Sequence, residues 1–143
     1  MKQFIIVTFL FLTLSACNNT ARNKTVGVSQ QSLAGKWLIS SIGEQTVINN
    51  SVPTLTFDKK LSLSGQASCN NFLTRYKLDK KTLGMGPITT TRKMCSPELM
   101  KQESKLLKVL TKVKRFEIDN AQLTLLDQQG KPQLKAQRVK SSI

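Results

Sequence analysis

A chain without histidine has few routes to covalent chemistry, and this one is left with three cysteines, eight acids and a set of spaced lysines as its reactive groups. Ser-His and Cys-His nucleophiles are excluded, and so is the commonest zinc ligand. Asp58, Asp79, Asp119 and Asp127 fall in turn-like contexts, where a carboxylate bonds nearby backbone. Glu98 opens a helix, Glu117 alternates away from Phe116 and Ile118, and Glu44 sits in a loop, so no acidic pair is placed for hydrolase work. The sequence is read as a non-enzyme with no catalytic residue, no metal site and no cofactor.

Glu103 stands apart from the other acids. It lies on the apolar side of a helix with Leu99, Leu106 and Leu110, where a carboxylate needs a partner. It is read first as a structural group bonded to backbone amides or to a base such as Arg75 or Arg92, with binding or catalysis as the alternative. Asn70 and Asn71, which follow Cys69, are turn builders first and ligand contacts second. Trp37 is read as core, with a barrel mouth as the place where it could also serve binding. Lys101, Lys105, Lys108 and Lys112 recur at helical spacing on the opposite side from the apolar residues. They form either a solvated face or a surface for anions.

The beginning of the chain bears on where these groups would work. Lys2, the apolar run from Phe4 to Leu14, and Leu14-Ser15-Ala16-Cys17 resemble the lipobox of a bacterial lipoprotein signal peptide. The resemblance implies cleavage before Cys17 and acylation of its side chain. A transmembrane helix needs about 20 apolar residues, and this run is shorter. Asn18 stands where an inner-membrane retention signal would place Asp, which points to the outer membrane with the domain in the periplasm. With Cys17 lipidated, Cys69 and Cys95 remain, and an oxidising periplasm favours pairing them. Two separate buried thiols are the alternative. Removing residues 1–16 takes away Lys2 and no acid, so the formal charge falls only from +14 to +13. An exported chain does not meet nucleic acid, the usual partner of such charge. The expected partners are the membrane, through the lipid anchor, and anionic lipid, lipopolysaccharide or an acidic envelope protein.

The elements that position these residues divide the chain into a leader (1–16), a lipidated cysteine with a flexible tether (17–32) and one folded domain (33–143). The tether, if flexible, spans roughly 20 Å. Trp37 to Ile42, Leu55 to Phe57, Leu61 to Gly65 and Tyr76 to Leu78 alternate as strands, and Leu83, Met85, Ile88 and a threonine run continue the pattern. Four or five short strands are thus expected before any helix. Ser96 can cap, Pro97 suits the first helical position and Glu98 complements the dipole, so a helix starts here and carries its apolar residues to Val113. Arg115 to Ile118, Leu123 to Leu126 and Leu134 to Ala136 close the chain as strands. The fold class is α+β: a curled antiparallel sheet or partly open barrel of about seven to eight strands, covered by one helix.

Trp37-Leu38, Ser64-Gly65 through Cys69-Asn70, Tyr76, Leu83-Gly84-Met85-Gly86, Thr91 to Cys95, Glu103 and Leu123-Thr124-Leu125 together resemble the META domain of HslJ-type lipoproteins. The resemblance runs from about Leu33 to Ala136. Ser68 departs from it, standing where the family usually has glycine before the Cys-Asn pair. The resemblance implies a heat-inducible or stress-associated envelope protein, linked in some members to novobiocin resistance and in others to secretion or virulence, with no established enzymatic activity. The expected function is a non-enzymatic binding module on the outer membrane. The alternative is a pilot or carrier module whose partly open barrel holds an acyl chain or an apolar peptide of a secretion component. A wide apolar cavity would favour the carrier, and a filled core with a basic face would favour surface or protein binding.

Overall fold

The computed structural model describes residues 30–140; Cys17, the leader and most of the tether lie outside the described residues, as do 141–143. Within that span, period-two burial builds the strands β1 (Gly35–Ile42), β2 (Gln45–Thr46), β3 (Thr54–Phe57), β4 (Ser62–Gln66), β5 (Asn71–Asp79), β6 (Thr82–Met85), β7 (Thr89–Thr90), β8 (Arg115–Asp119), β9 (Gln122–Leu126) and β10 (Pro132–Arg138). In β5, Phe72, Thr74 and Tyr76 point inward while Leu73, Arg75 and Lys77 point out. All pairings are antiparallel, in the order β1-β3-β4-β5-β6-β8-β9-β10, and β10 returns to β1 with Trp37 opposite Arg138 and Ile42 opposite Leu134. Two short strands stand outside this ring, β2 on β1 and β7 on β5.

The curled antiparallel sheet expected from the sequence is therefore present, and its eight-strand ring is closed, which removes the unpaired edges that β1 and β10 would otherwise expose. Seven strands precede the helix, more than expected, since the two-residue β2 and β7 are too short to show a period. The seam between β6 and β8 is the thinnest, with one ladder pair, Thr82 and Arg115. Bonds from the Leu83 amide to the Lys114 carbonyl (2.8 Å) and from the Phe116 amide to the Lys81 carbonyl (3.2 Å) support it. At Gly65 a Cβ would lie 1.9 Å from the Thr54 carbonyl oxygen, so only glycine lets β4 pass there.

Both ends of the barrel are stoppered. Residues 30–33 are helical, α1, so the last part of the expected tether, up to residue 32, is already structured. This turn buries Leu33 completely, and its carbonyl at Leu33 accepts the Trp37 indole N–H at 2.9 Å. The Arg138 guanidinium stacks 4.0 Å over the Trp37 ring and donates to the carbonyls of Ala34 and Ser32. At the other end, α2 (Pro97–Lys112) packs against β1, β6 and β10, so it crosses the opening, and Leu106, Leu110 and Val113 enter the core. Ser96 occupies the N-cap position with extended backbone, but its side chain makes no cap bond to the helix amides. The Glu98 backbone amide, and then the Ser96 hydroxyl, hold the Glu98 carboxyl below its usual range.

The interior is occupied by side chains. Trp37, Phe57, Leu55, Leu63, Leu83, Leu123, Leu125 and Leu134 are among its fully buried residues. Phe57 meets Tyr76 edge to face at 5.4 Å, and the Tyr76 hydroxyl donates to the Asp58 carbonyl at 2.9 Å. Burial first, and then the Asp58 charge, push the Tyr76 phenol above its usual pKa.

Candidate functional site

The turn between β4 and β5 brings the predicted residues together. Ser68 adopts φ +93°, a conformation that suits glycine, which gives a physical meaning to the glycine usual at this position in the resembling family. The turn closes with the Ala67 amide on the Asn70 carbonyl (2.7 Å), and this aims the next amides at the helix. Glu103, buried on α2, accepts from the Asn70 amide at 2.6 Å and the Cys69 amide at 3.3 Å through Oε2, and from Asn70 Nδ2 at 2.9 Å through Oε1. The Asn70 Oδ1 accepts in turn from the Thr91 hydroxyl (2.8 Å) and the Lys93 amide (2.7 Å). Two residues further on, Cys95 is bonded to Cys69.

Backbone amides thus answer the Glu103 carboxylate. Neither of the suggested bases does so: Arg75 donates to the Lys60 carbonyl at 3.4 Å, and Arg92 is exposed. Gln102 extends the network, accepting from the Ile48 amide (2.9 Å) and donating to the hydroxyls of Ser51 (3.0 Å) and Ser68 (2.8 Å). No buried side-chain nitrogen or oxygen lacks a partner among the described residues. A network satisfied in this way fixes structure. Nor do three or more acidic or cysteine side chains gather into a metal-binding set among the described residues. Sequence reasoning missed Gln102, whose only signal was a polar residue on the flank of the apolar face.

The lysine stripe and the surface beside it differ in character. Lys101, Lys108 and Lys112 are exposed as expected, but Lys105 is half-buried; it bends over Gly43, and its ammonium donates to Gln45 Oε1 at 2.8 Å. Between α2 and the β1–β2 segment lies an apolar cleft of about 340 Å³ with Ile42 and Ile48 in its walls and Lys101 and Lys105 along it. A second, polar cleft of about 430 Å³ continues past Lys105 to Lys112. Both lie outside the filled barrel, unlike the internal cavity a carrier barrel would need. Trp37 is wholly buried and belongs to the core.

The comparisons with known proteins agree with this architecture. The family profile for the META domain matches residues 30–140. A protein from Burkholderia xenovorans, solved by NMR, superimposes with a TM-score of 0.64 at 21% identity, covering 91% of this chain and 99% of its own. A second NMR structure gives 0.62 at 24% identity, over 76% of this chain and 93% of its own. The crystal structure of a DUF4847 family protein from Bacteroides vulgatus gives 0.57 at 13% identity, over 81% and 100%. These likenesses show the fold. No curated protein matches the chain. With the family profile spanning the described residues from end to end, the chain belongs to the META domain family.

Proposed function

We propose that this chain is a lipid-anchored, non-enzymatic module of the outer membrane that faces the periplasm and holds anionic envelope surfaces with the outer side of α2. The META domain family suggests a non-enzymatic binding or stress-related module. A role in envelope stress or novobiocin resistance is the finer form of that reading. The observation that carries the proposal is the separation of the two sides of α2: one is engaged by a satisfied network above a filled core, and the other carries exposed lysines. Like charges on neighbouring turns repel modestly unless an anion is near.

The anchor is tested by the mass of the mature N-terminus, expected to be an acylated Cys17. An unmodified Cys17 would contradict it. Surface binding is tested with vesicles containing anionic phospholipid, comparing the wild type with a variant carrying Gln at Lys101, Lys105, Lys108 and Lys112. At about 1 kcal/mol per lysine near such a surface, losing the three exposed ones is expected to weaken binding about a hundredfold at low salt. Wild-type binding is expected to fall as salt rises. Equal, salt-independent binding by both proteins would reduce the stripe to a solvated face.

A further inference from the structure

We propose that the cleft between α2 and the β1–β2 segment seats the alkyl chain of a single-chain anionic amphiphile, with the head group held by Lys101 and Lys105. This deepens the anionic-surface reading by assigning part of the stripe a built site. The cleft is of small-molecule size, about 340 Å³, and its walls include Ile42 and Ile48. The long aliphatic stems of Lys101 and Lys105 can extend that apolar wall while their ammonium groups stay at the water. Neither lysine forms an ion pair among the described residues, where Lys131 pairs with Glu44 at 3.1 Å on open surface. Glu98 also lines the cleft, one helical turn from Lys101, so the two lysines outnumber the single acid there.

The polar groups of the cleft decide the kind of occupant. Gln45 Oε1 is engaged by Lys105, and the Gln102 amide is engaged by Ile48, Ser51 and Ser68. The Val47 amide is engaged by the Ser40 carbonyl. A peptide laid here would bury its own N–H and C=O groups against partners already taken, at a cost an alkyl chain avoids. The segment before the domain is a poor match in charge. The residues from 18 to 29 carry Arg22 and Lys24 and no acid, so they repel the two lysines.

Calorimetric titration of the full chain carrying Cys17→Ser, so that no acyl group of its own competes, tests the assignment. Octanoate, decanoate and dodecanoate are added below their self-association concentrations. Saturable one-to-one binding is expected, tightening about two- to fourfold for each added methylene, as burial of that group requires. Thr46→Trp, at an exposed position beside the cleft, is expected to fill it and weaken dodecanoate at least tenfold with the melting temperature retained. Lys101→Gln is expected to weaken dodecanoate while leaving an uncharged dodecyl glycoside unchanged, and this arm stands even if the tryptophan variant fails to fold. Affinity independent of chain length, wild-type binding by a folded Thr46→Trp protein, or tighter binding of a carboxylate-ended apolar peptide would each overturn the proposal. Loss of dodecanoate binding with vesicle binding intact would overturn the cleft alone and leave the surface reading standing.

Discussion

Glu103→Ala is expected to lower the melting temperature by about 12 to 16 °C, corresponding to roughly 3 to 4 kcal/mol for a domain of this size. The magnitude follows from the number of donors it leaves behind: the amides of Cys69 and Asn70 and the side-chain amide of Asn70 all lose their acceptor inside the protein. Each buried, unsatisfied group costs about 1 to 3 kcal/mol, and local relaxation toward water recovers part of it. Glu103→Gln should cost less, about 1 to 2 kcal/mol. Its single oxygen can keep both backbone amides, while its NH2 confronts the Asn70 NH2. Thermal unfolding of the two variants checks the ranking. A melting temperature unchanged in Glu103→Ala would show that these bonds are not holding the turn.

Cys95→Ala is expected to cost about 3.5 kcal/mol, the chain-entropy value for opening a loop with a sequence separation of 26. Cys95 is half-exposed, so little of the loss comes from a cavity. The same loop is held two and four residues earlier by the Lys93 amide and the Thr91 hydroxyl on Asn70 Oδ1. Freeing it lets water reach the donors that Glu103 satisfies, so Cys95→Ala and Glu103→Ala together should cost at least about 1 kcal/mol less than their sum. Denaturant midpoints for the two single variants and the double variant measure that coupling. Strict additivity would mean that the disulfide and the carboxylate act on separate parts of the fold.

What the sequence made legible was local. Alternation in Phe72, Thr74 and Tyr76 marked an inward face, and Ser96-Pro97-Glu98 marked the start of α2 at Pro97. That Glu103 would need donors was legible, because a carboxylate at an apolar position demands them. Which donors was not legible, since the turn that aims the Cys69 and Asn70 amides depends on Ser68 taking a glycine-like φ. Barrel closure was hidden as well: the pattern of β1 shows which face is buried but not that its second neighbour is β10. The cleft was out of reach for the same reason. Ile48 meets Gln102 across 54 residues and Lys105 meets Gln45 across 60, and no period within one element records such a meeting. Lys105 was placed correctly around the helix axis, but its bend over Gly43 depends on a turn supplied by another part of the chain.

The central claim is a division of labour, in which the Cys69–Asn70–Glu103 network holds the scaffold and the outer side of α2 does the binding. Its most direct test measures melting temperature and anionic-vesicle binding on the same two proteins, Glu103→Gln and the variant with Gln at Lys101, Lys105, Lys108 and Lys112. Glu103→Gln is predicted to melt earlier and bind as the wild type does below its transition, whereas the lysine variant is predicted to keep its melting temperature and lose binding. A Glu103→Gln protein that melts like the wild type but no longer binds would contradict the account and move the site to the buried carboxylate.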